Sequence, residues 1–238
     1  MLIADHFATL RQTRAHSPAI SFDGETHCFG ELVRHGWQVG NGLLGIGIPR
    51  RHRIAILARN RPEFFELLIG AGASGRALAV LDWRKTAAQL AAQLDEAGNQ
   101  VLFVASEFHE AIERIAPGLA QLRHIIALDG EHHRWPDYRR WRDAQLATRP
   151  KVRAQDDDEL LHLYAPEAMD RPRGIKLTNR AYEKLLQTLL GHHAFGSRAV
   201  AAVRNRMPLF HLGGVNRSVM PLLCGAHLHL SDGASAAN

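Results

Sequence analysis

Cysteine and long apolar runs are both scarce in this sequence of 238 residues. The two cysteines, Cys28 and Cys224, lie far apart, so we expect no disulfide framework of the kind that staples small secreted domains. No stretch approaches the ~18 consecutive apolar residues that a membrane-spanning helix requires. The first ten residues include Asp5 and His6 and have no apolar core, unlike a secretory signal. These absences predict a cytoplasmic protein that does not span or bind a membrane.

Excess charge of one sign is also limited, because 29 basic residues stand against 24 acidic ones for a net charge of +5. The arginines are scattered, which favours solubility and anionic ligands more than nucleic acid. Residues 139–142 read Arg-Arg-Trp-Arg, a pattern that can stack on bases and pair with phosphates. No recognised nucleic-acid-binding module surrounds them, so we interpret this stretch as a solvated helix face. The sequence predicts no nucleic-acid partner.

Histidine is frequent, with 15 residues, but no complete metal-binding pattern is present. The clustered histidines are His132-His133, His192-His193 and His227-x-His229. Zinc sites use three or four ligands at defined spacing, and we expect adjacent histidines to point in different directions. We therefore predict no metal site.

Two other catalytic signatures are incomplete. Residues 70–75 fit the pattern G-x-G-x-x-G, but they leave a helix and enter a strand, the reverse of the dinucleotide-binding arrangement. We interpret them as a helix C-cap followed by a tight turn. Neither Ser197 nor Ser218 lies in a G-x-S-x-G elbow, so the sequence gives no support for serine hydrolase chemistry.

Strand-like and helix-like segments alternate along most of the chain. Buried strands are predicted at 54–57, 77–81 and 101–104, with amphipathic helices between and around them. This alternation predicts an α/β fold with a mostly parallel central sheet flanked by helices. Three parts are expected: a first α/β lobe at 1–130, a polar linker at 131–158, and a partial second lobe at 159–238.

The stretch from Asp158 to Arg180 has the pattern of a strand, a loop and a second strand that leads into a helix. Loops that hold a triphosphate need backbone N–H groups, hydroxyls and glycines. Between Tyr164 and Gly174 there is neither a hydroxyl side chain nor a glycine, and Pro166 removes one N–H donor. Glu167 and Asp170 also add negative charge where a polyanion would sit. Taken alone, this loop fits a solvated acidic turn better than a phosphate cradle.

The same stretch nevertheless resembles the signature loop of the adenylate-forming enzymes, the family of acyl-CoA synthetases, aryl-CoA ligases and luciferases. In that family the strand ends in Tyr-Thr-Ser-Gly-Thr-Thr-Gly, followed by x-Pro-Lys-Gly and Leu-Thr-His. The matching residues here are Tyr164, Arg171, Pro172, Gly174, Leu177, Thr178 and Arg180, with Arg173 in place of the lysine. Residues 165–170 replace Thr-Ser-Gly-Thr-Thr-Gly. The resemblance implies a degenerate phosphate loop formed by Tyr164, Arg171, Arg173, Gly174 and Thr178.

Further motifs follow in the order of that family. They are Phe29-Gly30-Glu31-Leu32, Asn60-Arg61-Pro62-Glu63-Phe64, Leu81-Asp82-Trp83-Arg84-Lys85-Thr86 and Pro208-Leu209-Phe210-His211-x-Gly213-Gly214. By resemblance the last motif lies beside the acyl or aryl pocket, so His211, Gly213 and Gly214 are the candidate substrate residues. No catalytic residue is assigned. The family implies ATP, Mg²⁺ and CoA, although the loop of this chain does not predict any of them as a cofactor.

Three functional hypotheses remain open. The first is a truncated relative of acyl-CoA ligases that cannot adenylate a carboxylate alone and acts as a ligand-binding or regulatory pseudoenzyme. The second is one subunit of a split carboxylate–CoA ligase, since relatives continue with nucleotide-contacting motifs and a mobile domain that a partner chain would supply. A homo-oligomer could likewise cover the exposed face of such a half-domain. The third is a remnant without a selected function.

Overall fold

A computed structural model describes residues 2–152, 154–164, 173–192 and 202–232. Its helices are α1 Ile3–Thr13, α2 Phe29–Gly45, α3 Glu63–Ser74, α4 Ala87–Glu96, α5 His109–Ile115, α6 Tyr138–Asp143, α7 Asn179–His192 and α8 Leu212–Leu223. Its strands are β1 Pro18–Phe22, β2 Glu25–Cys28, β3 Arg53–Leu57, β4 Ala77–Val80, β5 Val101–Val104, β6 His124–Ala127, β7 Glu159–Tyr164, β8 Gly174–Thr178, β9 Ala202–Asn205 and β10 His227–Leu230.

The strands form two sheets. The larger sheet has the order β6-β5-β3-β4-β7-β8, and all its neighbours are parallel except the antiparallel pair β7–β8. The smaller sheet has the order β2-β1-β10-β9, in which only β1–β2 is antiparallel. The predicted α/β class with a mostly parallel central sheet is confirmed.

The larger sheet is buried on both faces, which explains why its inner strands are continuously apolar. Alternate residues of each strand point to opposite faces, so Ile54 and Ile56 belong to one core cluster while Ala55 and Leu57 belong to the other. The first cluster packs against α1, α2 and α3, and the second packs against α4 and α5.

Local signals set the helix ends near their predicted positions. Thr86 caps α4, because its hydroxyl accepts the backbone N–H of Gln89 while the Gln89 side chain returns a hydrogen bond to the Thr86 backbone. Helix α3 ends at Gly75, whose φ of +72° lies in the left-handed region. The interpretation of residues 70–75 as a helix C-cap is confirmed.

Both sheets combine strands from the two sides of the expected linker. Strand β7 pairs with β4, and β10 pairs with β1 near the start of the chain. The expected linker contains α6, in which Tyr138 and Arg142 are buried because a spacing of four residues places them on one helix face. The division at 130 and 158 stays a prediction.

The interpretation of residues 139–142 as a solvated helix face is wrong for Arg142. Arg139 and Arg140 are exposed, but only 8% of Arg142 is exposed, and its Nη1 lies 3.0 Å from Oε2 of Glu66. The buried carboxylate of Glu66 on α3 compensates the charge of Arg142. The sequence interpretation assumed that charged residues lie on the surface, and so it missed this pair. Within the described ranges, no helix is both long and apolar enough to cross a membrane.

Candidate functional site

The hairpin of β7 and β8 carries both ends of the predicted phosphate loop. Tyr164 pairs with Gly174 across the hairpin, so the ends of the loop are adjacent. The Tyr164 hydroxyl donates a 2.6 Å hydrogen bond to the carbonyl oxygen of Gln93 in α4. Burial, with the nearby Glu96 carboxylate, raises the pKa of Tyr164, so this hydroxyl stays a donor. This hydrogen bond fixes the β7–β8 hairpin to the C-terminal part of α4.

The other predicted loop residues do not gather at one point. Thr178 lies at the far end of β8, where its hydroxyl accepts the backbone N–H of Ala181 at 3.1 Å and caps α7. Arg173 is exposed at the near end. Arg171 and the replaced segment 165–170 lie outside the described residues. The Tyr164 hydroxyl thus uses its proton within the fold, whereas the Thr178 hydroxyl acts as an acceptor at the start of α7.

A charged cluster that the motifs did not reveal lies beneath this hairpin. The side chain of His162 is fully buried, with Nδ1 at 2.8 Å from Glu159 and Nε2 at 3.0 Å from Glu96. Arg53 binds the same Glu159 at 2.6 Å. Burial raises the pKa of Glu159, but hydrogen bonds from His162 and Arg53 outweigh that effect and hold the pKa below its usual value. The only sequence signal was a histidine within the otherwise apolar core of a strand.

The second predicted site is the His211 turn, defined as residues 207–214. Asn60, at the end of β3, holds this turn: its amide donates to the Met207 carbonyl at 3.0 Å, and its carbonyl accepts the Leu209 N–H at 2.8 Å. The side-chain amide of Asn205 also donates to the Met207 carbonyl, and its side-chain oxygen accepts the backbone N–H of Met207. These buried asparagines explain why an irregular turn is fixed at this place.

The two candidate glycines in the His211 turn have different environments. A Cβ at Gly214 would lie 2.1 Å from the carbonyl oxygen of Pro208, so the turn closes only without a side chain there. Gly213 is exposed, and a Cβ there would approach only the end of the flexible Met207 side chain at 3.0 Å. The need for glycine at 214 is therefore steric.

Aromatic rings and cations surround the turn in what we call the Trp83 cluster: Arg59, Trp83, Arg84 and Phe210. The guanidinium of Arg59 lies 4.6 Å from the Trp83 ring centroid, and that of Arg84 lies 4.6 Å from the Phe210 ring centroid. The two rings meet edge to face at 6.0 Å. The buried indole N–H of Trp83 makes no hydrogen bond with the described residues.

His211 joins this cluster. Its ring centroid lies 4.4 Å from that of Phe210. Burial lowers the pKa of His211, the Arg84 guanidinium lowers it further, and the Asp82 carboxylate partly opposes them. Both guanidiniums are already paired, Arg59 with Glu107 at 3.0 Å and Arg84 with Asp82 at 2.9 Å. The surface therefore combines compensated cations and a neutral imidazole with apolar rings, which suits the apolar part of a ligand better than an isolated anion. A separate cleft of about 850 Å³ lies away from these residues and is lined by Asp5, Arg149 and Arg180 among others.

One histidine pair differs from the expectation of divergent side chains. His132 and His133 are stacked at 4.8 Å, and together with Glu113 they bring ligand-type atoms within 4.8 Å of one another. Yet Nδ1 of His132 accepts the backbone N–H groups of Arg134 and Trp135, so its proton is on Nε2 and points to Glu113. Arg134 also binds Glu113 at 2.8 Å. His132 and Glu113 are thus already hydrogen-bonded to each other and to neighbouring groups. We therefore assign no metal to these three residues.

A sequence model of a known family, described as AMP-binding enzyme, matches residues 7–238. The fatty acid–[acyl-carrier-protein] ligase ScoC of Streptomyces coeruleorubidus is 27% identical over 202 residues, which cover 84% of this chain and 37% of that protein. A feruloyl-CoA synthase from an Amycolatopsis species is 28% identical over 213 residues, which cover 87% of this chain and 39% of that protein. The chain spans about two fifths of the length of these curated relatives.

Solved structures resemble the whole chain. The crystal structure of the anthranilate CoA ligase AuaEII in complex with anthranoyl-AMP superposes with a TM-score of 0.92, covering 100% of this chain and 46% of that one. Sequence identity in this superposition is 22%, so the likeness concerns the fold.

Proposed function

The chain belongs to the AMP-binding enzyme family, and from that premise we propose that it binds an organic acid or acyl group without forming an acyl-adenylate by itself. The family resemblance inferred from the signature-loop and turn motifs is confirmed by the match over residues 7–238. The chain is acyl-CoA-ligase-like over that range. Its role as a ligand-binding or regulatory pseudoenzyme is the proposal.

The composition of residues 165–170 carries the proposal. Ala-Pro-Glu-Ala-Met-Asp offers no hydroxyl and no glycine, and two of its six side chains are carboxylates. Of the flanking hydroxyls, that of Tyr164 already donates to the carbonyl oxygen of Gln93, and that of Thr178 lies at the far end of β8, where it caps α7. Arg171 and Arg173 follow in the sequence as two cations, but two side-chain cations at one end of the loop do not replace a ring of donors around a triphosphate. These residues do not fit ATP with Mg²⁺, and no step through that nucleotide is derived.

The Trp83 cluster and His211 support the acid-binding half of the proposal. The guanidiniums of Arg59 and Arg84 lie over aromatic rings, and the Trp83 N–H is buried without a partner in the described part of the chain. Arg59 pairs with Glu107 and Arg84 with Asp82, so a ligand carboxylate would share these guanidiniums with the two acidic side chains while its carbon skeleton covers Trp83 and Phe210. The relatives are named for fatty acid and feruloyl substrates, so both aliphatic and aromatic acids are candidates.

A split ligase is the second candidate. In the described residues, β9 pairs only with β10, so one side of a parallel strand is open at the edge of the smaller sheet. Parallel sheets are seldom left with such an edge uncovered. A second polypeptide, or a second copy of this chain, could add a strand there and contribute the nucleotide-binding groups.

The test combines titration calorimetry with an ATP–pyrophosphate exchange assay on the purified chain. We expect heat of binding with at least one acid or CoA thioester of a mixed aliphatic and aromatic panel, no heat with ATP and Mg²⁺, and no acid-dependent exchange. Exchange by the isolated chain would overturn the proposal. Exchange that appears only after addition of a co-purifying protein would support the split ligase instead.

A further inference from the structure

The outer edge of the larger sheet, at β6, carries backbone groups without a strand partner. Among the strands that the structure describes, β6 pairs only with β5. The N–H of Leu128 donates to the carbonyl oxygen of Val104 on the β5 side. Because neighbouring residues of a strand direct their N–H and C=O groups to opposite sides, those of Ile125 and Ala127 point away from β5.

The chain itself fills one end of this edge. The Ala127 N–H donates to the carbonyl oxygen of Pro136 at 3.0 Å, and Ala127 forms an isolated parallel bridge with Asp137. The chain bends at residues 133–135, and no backbone group of the described residues pairs with the outward N–H or C=O of Ile125. The edge thus already accepts one short extended segment and leaves the next position open.

A groove of about 350 Å³, which we call the β6 groove, lies along this open part and is lined by Ile125, Ile126, Trp135 and Trp141 among others. Ile125 and Trp135 pack against the core on one face of the sheet, whereas Ile126 and Trp141 pack against the core on the other face. Side chains of an extended segment alternate between the two faces. A segment beside Ile125 would therefore bring successive side chains against Trp135 and Trp141, as in strand addition to a sheet edge.

The charge of the β6 groove indicates which kind of segment fits. Arg123, His124 and Arg134 line it, and none of the described lining residues is acidic. Arg134 is already paired with Glu113 at 2.8 Å, but the exposed Arg123 forms no ion pair within the described part of the chain. A free cation beside an open backbone edge favours a segment that carries a carboxylate next to apolar residues.

A second copy of the chain fits this edge less well. In each copy Pro136 and Asp137 already lie beside Ala127, so two β6 strands placed edge to edge would each obstruct the pairing of the other. Two copies would also bring two basic grooves together, and like charges at an interface are unfavourable. These two points favour a short acidic segment of a different protein.

We infer that the β6 groove is a docking site for a short extended segment of a partner protein, in which acidic residues flank apolar ones. The segment adds a strand beside Ile125, its apolar side chains contact Trp135 and Trp141, and a carboxylate pairs with Arg123. The outward N–H and C=O of Ile125 supply the main-chain hydrogen bonds. The inference goes beyond acid binding at the Trp83 cluster and does not depend on it.

Fluorescence polarisation with a peptide library tests the inference on the full chain. The probes are capped, fluorescein-labelled peptides Asp-x-x-x-Asp, with Val, Ile, Phe, Tyr or Trp at each x. We expect at least one to bind with a Kd on the order of 100 μM or tighter, and more weakly as salt is added. Its Lys-x-x-x-Lys counterpart should not bind. Failure of every Asp-x-x-x-Asp peptide to bind would overturn the inference.

Two charge-matched variants locate the binding site. Arg123→Glu should weaken binding of the best peptide by roughly tenfold or more, because it places a carboxylate opposite the carboxylates of the peptide. Arg204→Glu, at an exposed position of β9 in the smaller sheet, is the control and should change affinity by less than about twofold. Both residues are exposed, so neither variant is expected to impair folding. Equal losses in the two variants would place the peptide elsewhere and overturn the inference.

Main-chain pairing is tested by amide hydrogen exchange and by N-methylated peptides. With saturating peptide, the Ile125 amide should exchange about tenfold more slowly or less, whereas the Ala127 amide, already bonded to Pro136, should change little. Methylation of one of two neighbouring central peptide nitrogens should abolish binding while the other is tolerated, because alternate N–H groups face the sheet. Equal effects of the two methylations would contradict strand addition. A dimer in sedimentation equilibrium that the peptide dissociates would instead assign the edge to a second copy.

Discussion

The phenol of Tyr138 donates a 2.7 Å hydrogen bond to Oε2 of Glu66, which closes α6 over a fully buried carboxylate of α3. Burial and the Glu66 charge raise the pKa of Tyr138, so the phenol remains a donor. Arg142 and His35 complete the set of partners around the same carboxylate. The Glu66 side chain thus connects three helices, α2, α3 and α6.

Glu66→Gln should strongly destabilise the protein. The substitution removes the buried carboxylate that faces Arg142 and leaves that guanidinium with the exposed Asp143, and breaking a buried ion pair in this way costs about 3–5 kcal/mol. Urea unfolding followed by circular dichroism measures the loss. The control is Glu110→Gln, which removes one partner of the exposed Arg114–Glu110 pair and should change stability by less than about 0.5 kcal/mol. Equal effects of the two variants would contradict the assignment of Glu66.

The contribution of Glu66 should also depend on pH. Burial raises its pKa, but His35, Arg142 and Tyr138 outweigh burial and lower the pKa from 4.5 to about 2. A depressed carboxyl pKa gives stability that is present above the unfolded value and is lost as pH falls through the folded value. The stability difference between the unmodified chain and Glu66→Gln should therefore shrink by on the order of 3 kcal/mol between pH 4.5 and pH 2. A difference that stays constant over this range would refute the shift.

Asn60→Ala should loosen the His211 turn. The Ser231 carbonyl and the Leu209 N–H would lose the Asn60 side chain as partner, and the Met207 carbonyl would keep only its bond from Asn205, at a cost of about 2–4 kcal/mol. Asn41→Ala is the matched control, because Asn41 binds two backbone carbonyls at an exposed position and its loss should cost less than about 1 kcal/mol. Thermal unfolding of the two variants distinguishes them. A smaller loss for Asn60 than for Asn41 would be evidence against this contact as the support of the turn.

His211→Ala should weaken binding of the acid identified by calorimetry by roughly tenfold, since a hydrogen bond to a charged group is lost. The lowered pKa of His211 leaves the ring neutral at pH 7, so the affinity should not follow protonation of this residue near neutrality. His229→Ala, on β10, is the control and should leave the affinity unchanged. Equal affinities of all three proteins would remove His211 from the proposed acid site.

Replacement of residues 165–170 by Thr-Ser-Gly-Thr-Thr-Gly should create measurable affinity for ATP with Mg²⁺, because it restores hydroxyls and close-approaching backbone amides. The control is Glu167→Gln combined with Asp170→Asn, which removes the two charges but restores no donor. Calorimetry with ATP and Mg²⁺ compares the three proteins. If only the charge-neutral variant binds ATP, then repulsion by Glu167 and Asp170, rather than missing hydrogen-bond donors, explains why the unmodified loop does not bind ATP.

The sequence predicted the elements better than their assembly. Alternating apolar runs and the glycines of residues 70–75 predicted elements close to those observed, because these signals act within a few residues. The pairing of β10 with β1 depends on contacts between residues about two hundred positions apart, for which no local pattern exists. The presence of two sheets was therefore not predicted.

The candidate sites were located by motifs, whereas their supporting groups were not. His211 and the hairpin ends lie in recognisable segments, but the buried polar side chains of His162, Glu66 and Arg142 sit where hydrophobic patterning expects either apolar or exposed residues. Their burial is possible only because partners on other elements compensate them. Such complementarity is a property of the assembled fold.

The register of β10 against β1 also sets an order of events during synthesis. The β1–β2 hairpin is synthesised about two hundred residues before its parallel neighbour β10, which is completed at Leu230. Until then, the β1 edge carries unpaired backbone groups, which makes the nascent chain a substrate for chaperones and a template for intermolecular strand pairing. The larger sheet acquires its five parallel strands earlier, by Tyr164. Cotranslational folding should therefore complete the larger sheet before the smaller one, even though β1 and β2 precede every strand of the larger sheet along the chain.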